Sequence, residues 1–150
     1  MERSKSVLRY RNGKVVKGFT QDFYPNKDRF FFFPADDLSG EAIEVLLKEL
    51  KAIFMVRDFI GNPQYGERKK YTDGENPSGR IVEVTFEDNE VLIGSTLGYD
   101  LNRPGFFVFP ADPKSNNIRV FVISSAVKKI RYLNSTPKSF PNFSFGRSQV

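Results

Sequence analysis

The chain has 150 residues, 16 of them Phe, with no Cys, His or Trp, and a formal net charge of +5. The missing Cys and His exclude thiol nucleophiles, disulfides, the usual zinc sites and His-based acid–base pairs. No apolar run reaches bilayer-spanning length, and no signal-peptide core follows Met1–Ser6, so the expectation is a cytoplasmic protein without membrane insertion, metal or cofactor.

Val7–Arg11 alternates apolar and basic residues, which is strand periodicity. Asn12-Gly13 predicts a type I′ hairpin turn into a second strand, Lys14–Gln21, bent at Gly18. The loop from Asp22 to Asp28 leads to Phe30-Phe31-Phe32-Phe33. Four consecutive Phe break simple alternation, so both faces of this third strand are expected to be covered. Pro34 ends it, because proline cannot donate to a ladder.

Residues 41–50 score as helix on propensity alone. They are nevertheless expected to form a strand (Ile43–Leu47) and one helical turn (Lys48–Leu50), because their counterpart Asn117–Ile123 is plainly strand-like. A fifth strand, Ala52–Phe59, follows. Residues 60–80 are a polar connector rich in Gly and Pro, and residues 134–150 a Ser/Pro/Asn-rich tail holding Phe140, Phe143 and Phe145.

The comparison with Asn117–Ile123 rests on an internal repeat. Adding 76 to each position from Leu8 to Asp36 lands on Val84 to Asp112 without a gap. Gly18 matches Gly94, Asn26 matches Asn102, and Phe33-Pro34-Ala35-Asp36 matches Phe109-Pro110-Ala111-Asp112. Beyond the Asp the offset becomes 77, so Leu50-Lys51-Ala52-Ile53 falls on Val127-Lys128-Lys129-Ile130. The expected architecture is all-β: two tandem five-stranded barrels (7–59 and 81–133), each with a short helical turn before its last strand. Units this small are expected to share a Phe-rich interface.

Within the second copy, Gly94-Ser95-Thr96-Leu97-Gly98-Tyr99-Asp100-Leu101-Asn102 resembles the first Sm motif, in which a Gly precedes an aromatic-Asp pair and an Asn. The first copy keeps Gly18, Phe23 and Asn26. The Arg-Gly of the second Sm motif is absent; Ile123–Val127 stands in its place. The resemblance implies SH3-like or Sm-like barrels that hold single-stranded RNA in the loop between the second and third strands. The chain also resembles an uncharacterised group of bacterial proteins with the same Phe-rich repeat.

That loop supplies Phe23, Asn26 and Lys27 in the first copy and Tyr99, Asn102 and Arg103 in the second. An aromatic face could stack a base, an amide read its edge and a cation meet phosphate. Alternatively, the Asn residues serve the turns and the aromatics cap the barrels. Residues 1–34 hold eight cations against three anions, which equals the net charge of the whole chain. Arg9, Arg11, Lys14 and Lys17 make the first hairpin basic, whereas Thr85, Glu87 and Glu90 replace Arg9, Arg11 and Lys14 in the second. A polyanion such as RNA would meet the first copy; an acidic protein surface, or the acidic face of another copy of the chain, would suit it equally.

No catalytic constellation is visible. Asp36 and Asp112 sit where Asp caps a turn, Ser124-Ser125 lacks a recognisable base, and no Gly-rich phosphate loop is present. Asp37-Leu38-Ser39-Gly40 is one residue short of the PilZ run that binds cyclic dinucleotides, and the Arg arm of that family is missing. The functional expectation is a non-enzymatic binding or regulatory protein, with protein interaction or assembly as the alternative to RNA.

Overall fold

The computed structural model describes residues 4–21, 23–60, 79–112 and 114–133. The first copy contributes β1 (Ser4–Tyr10), β2 (Val15–Thr20), β3 (Arg29–Pro34), β4 (Ile43–Leu46) and β5 (Leu50–Val56). The second contributes β6 (Arg80–Phe86), β7 (Val91–Thr96), β8 (Gly105–Pro110), β9 (Asn117–Ile123) and β10 (Val127–Tyr132). A 3-10 turn precedes β5 (Leu47–Glu49) and β10 (Ser124–Ala126). The helix-scoring segment is therefore a strand and a single turn, as its counterpart required.

All pairings are antiparallel and join the strands into one open sheet, in the order β10-β6-β7-β8-β9-β5-β1-β2-β3-β4. Two separately closed barrels are not what the pairing shows. Each copy has the same internal order, but the outer edge of β5 is taken by β9 of the other copy instead of by β4. The reason lies in the sequences of those two strands. Nearly every residue of β5 is buried, as are Val120–Ile123 of β9. A strand pair apolar on both sides is stable only with material packed on both sides. On one face Phe23 packs against Phe121, and on the other Arg9 lies over Phe54 while pairing with Glu90 of the second copy.

Residues opposite one another in an antiparallel ladder share a face. Val16, Leu8, Ile53, Phe121 and Phe107 therefore form one row across the junction. Its counterpart runs Leu92, Val84, Ile130 and stops at the β10 edge; the counterpart of its last two members, Glu44 and Phe31, begins at the β4 edge. The bulges repeat as well. Lys51 is skipped where β5 pairs β1, and Lys128 is skipped where β10 pairs β6.

Two local expectations need correction, and a third is narrowed to one of its two causes. The Asn12-Gly13 turn is not type I′, because only Gly13 takes positive φ (95°). Tyr10 and Lys14 close a three-residue loop in which Gly13 N–H donates to the Tyr10 carbonyl (3.0 Å), and in the second copy Asn89 (φ 73°) takes the place of Gly13. The Phe run alternates after all: Phe30 and Phe32 are buried, while Phe31 is 57% exposed. Gly18 and Gly94 are required by close approach and not by φ. A Cβ would stand 2.3 Å from the Phe33 carbonyl oxygen at Gly18, and 2.2 Å from that of Phe109 at Gly94. The connector and tail expectations concern residues 61–78 and 134–150, which lie outside the described residues.

Candidate interaction surface

The residues expected to hold RNA do not form a stacking platform. Phe23 packs edge-on against Phe30 (5.3 Å) and Phe121 (4.9 Å), so its ring belongs to the junction between copies. Tyr99 lies against Phe106 (5.6 Å) and Tyr132 (5.2 Å). Both aromatics close the core. Asn26 and Asn102 are exposed turn residues; the Asn102 N–H donates to Asp100 Oδ1 (2.9 Å). Lys27 lies over the Tyr24 ring at 5.5 Å, and Arg103 N–H closes the other loop on the Asp100 carbonyl (2.9 Å).

The basic hairpin is largely engaged within the molecule. Arg9 pairs with Glu90 (3.6 Å) and lies over Phe54 (5.1 Å). Lys14 lies over Tyr10 (5.5 Å), and Lys17 Nζ donates to the Phe59 carbonyl (2.9 Å). Arg11 remains exposed. The opposite charges of the two hairpins thus meet inside one chain, where basic β1 of the first copy faces the acidic β6–β7 turn of the second.

A residue that sequence reasoning passed over completes this contact. Lys51, bulged out of the ladder, is buried at 6% exposure, lies over the Phe86 ring (4.8 Å), and donates to Asp88 Oδ2 (2.7 Å) and to Glu90 Oε1. The hydrogen bond from Lys51 holds the Asp88 carboxyl below the ordinary aspartate range. In the second copy the bulged Lys128 reaches only Asn89 Oδ1 (2.9 Å) of its own hairpin.

The same comparison between copies exposes a surface. In the second copy Phe107 and Phe121 pack together (5.0 Å), Arg119 lies over Phe107 (4.3 Å), and the first copy covers Phe121 completely. In the first copy the equivalent pair is Phe31 and Glu44, with Ala42 where Arg119 stands. Phe31 is open to solvent, and Glu44 reaches Arg29 at 3.5 Å across the rim. Among the described residues no strand pairs with the outer edge of β4. Val15, Val16, Pro34, Ala35, Ile43 and Phe59 line an open groove of about 670 Å³, with Lys14, Lys17 and Asp36 also on its wall; Phe31 and Glu44 do not line it, and Ile43, opposite Phe32, lies on the other face of the ladder from them. The signal was present in the aligned repeat, where Glu44 falls on Phe121, but it acquires meaning only once β9 is seen to be covered and β4 not.

The two Asp residues matched by the repeat differ in setting. Asp112 is buried and its Oδ1 accepts the Lys114 N–H (2.9 Å); Asp36 is exposed at the groove. Ser124 Oγ is buried without a hydrogen-bond partner. Among the described residues no three acidic side chains gather as a metal site, and no helix is long and apolar enough to cross a membrane.

Residues 2–134 match the model of a family described as a family of unknown function, DUF6982. The chain belongs to that family. A stretch of 98 residues is 28% identical to a digeranylgeranylglycerophospholipid reductase of Methanococcus vannielii, covering 59% of this chain and 25% of the reductase. The DUF6982 chain thus spans about a quarter of the curated relative it matches. No solved structure matches it.

Proposed function

We propose that this DUF6982 protein is a non-catalytic interaction module whose first copy takes a polypeptide partner on the β3–β4 face that carries Phe31. The observation that carries this reading is Phe31. It is a large aromatic at 57% exposure, and the equivalent face of the second copy, Phe107 with the fully buried Phe121, is the one onto which the first copy docks. One face of this kind is filled within the chain; the other is open. The engaged state of Arg9, Lys14 and Lys17 and the inward packing of Phe23 and Tyr99 make single-stranded RNA the weaker reading.

Photo-crosslinking tests the proposal. A photoreactive phenylalanine at position 31 should yield a polypeptide adduct in cell extract, whereas one at Val91, also exposed but on the second copy, should not. A labelled oligonucleotide should show no salt-sensitive binding. Salt-sensitive binding that is lost on Arg11→Glu with Lys14→Glu would replace this reading with a polyanion-binding one.

A further inference from the structure

The molecule contains its own worked example of how a β4-type edge accepts a strand. On β9, the second-copy equivalent of β4, strand β5 lies antiparallel with Ala52 opposite Val122, Ile53 opposite Phe121 and Phe54 opposite Val120. Transposed to the first copy, those three acceptor positions are Val45, Glu44 and Ile43. The apolar residues on either side are retained, and only the central one has changed, from a covered Phe to a carboxylate. The neighbouring ring has also lost its cation. Arg119 covers Phe107, whereas Ala42 leaves Phe31 bare.

Resting on the interaction-module reading above, we infer that the outer edge of β4 is a strand-acceptor site for an extended polypeptide with a basic residue between two apolar ones. The backbone of the incoming segment continues the ladder, as in β-strand addition generally. Its basic side chain lies along Phe31 and reaches Glu44, supplying the cation that Ala42 does not and joining Arg29, which already meets that carboxylate at 3.5 Å across the half-exposed rim. Its flanking apolar residues lie opposite Val45 and Ile43.

A second copy of this chain does not fit that description. Its strand β10, whose outer edge pairs with no strand among the described residues, presents Lys129, Ile130 and Arg131 at the places of Ala52, Ile53 and Phe54. That is the required pattern inverted, with charges toward Val45 and Ile43 and an apolar residue opposite Glu44. Inward charges of this kind prevent edge-to-edge pairing.

Fluorescence anisotropy with the full chain decides the matter, using as probes a labelled peptide of residues 50–56 and the same peptide bearing Ile53→Arg. The arginine peptide should bind the parent protein at least tenfold more tightly than the unaltered one. Glu44→Phe, which restores the β9 residue, should reverse that preference. Ala42→Arg, which gives Phe31 the cation that Phe107 already has, should weaken arginine-peptide binding at least tenfold. Equal affinity for both peptides, or no binding of either, overturns the β4 inference. Crosslinking at position 31 without a charge preference would leave the interaction-module reading standing and remove only the edge site.

Discussion

Exchanging Phe121 and Glu44 one at a time tests whether the two edges are one interface in two states. Phe121 has no exposed surface and touches Phe23 and Phe107. Replacing a buried Phe by a small residue costs about 3–5 kcal/mol. Phe121→Glu also sets a carboxylate beside Ile53 on the apolar row, adding a desolvation cost that protonation relieves only in part. A loss of at least about 4 kcal/mol follows, a large share of the roughly 5–15 kcal/mol that holds a domain folded. Glu44 has a half-exposed side chain, and its pair with the equally exposed Arg29 belongs to a class worth about 0–1 kcal/mol. Glu44→Phe should therefore change stability by less than about 1 kcal/mol. Urea unfolding of the two variants and the parent measures both quantities, and calorimetry should show a melting shift of roughly 10 °C or more for Phe121→Glu alone. A cost under about 1 kcal/mol for Phe121→Glu, or equal costs for the two substitutions, would show that the two edges do not differ in this way.

Gly18→Ala and Gly94→Ala should each lower stability by about 1–3 kcal/mol, because a bare Cβ already meets a backbone carbonyl that only separation of the ladder can move. An unchanged denaturation midpoint at either site would show that the strands part at no cost. Lys51→Ala should destabilise by about 1–3 kcal/mol, since it removes the buried stem from Phe86 and leaves Asp88 and Glu90 facing each other; Lys51→Met should recover most of the packing part in the same unfolding assay. Asp88 titrates below its ordinary value in the folded chain, so its contribution is present above the unfolded aspartate pKa, about 4, and is lost as pH falls through the lower folded value. Thermal melts between about pH 5 and pH 3 should decline less steeply for Asp88→Asn than for the parent.

The repeat made most of the strands legible. Leu8 to Asp36 and Val84 to Asp112 share one spacing, so the strand-like Asn117–Ile123 outweighed the helical propensity of residues 41–50. The glycines of β2 and β7 could also be read, because a matched Gly inside a strand marks close approach. The joining of the copies could not be read in this way. Strand order across a junction depends on which edge is left unpaired, and no periodicity encodes that. The same gap hid how two candidate aromatics pack. For Phe23 and Tyr99 the sequence left two readings, a ligand-stacking aromatic or a cap on the core, and their rings pack as caps on a core whose extent appears only in three dimensions. Lys51 gave no signal at all: it is an ordinary Lys in a basic chain until the bulge turns it toward Asp88.

The pairing of Ala52 with Val122 joins positions 70 residues apart in sequence. Among the described residues the ladder, the row through Phe121 and the Lys51 contact hold the two halves together. Lengthening the connector therefore costs little, about 0.6 kcal/mol for each doubling of its length. A protease nick within residues 61–78 converts a covalent arrangement into a two-part complex without removing any described contact. What the peptide link supplies is effective concentration. Separately expressed halves should accordingly find each other, and each is at risk of aggregation through its uncovered apolar strand, β5 or β9, until its partner arrives.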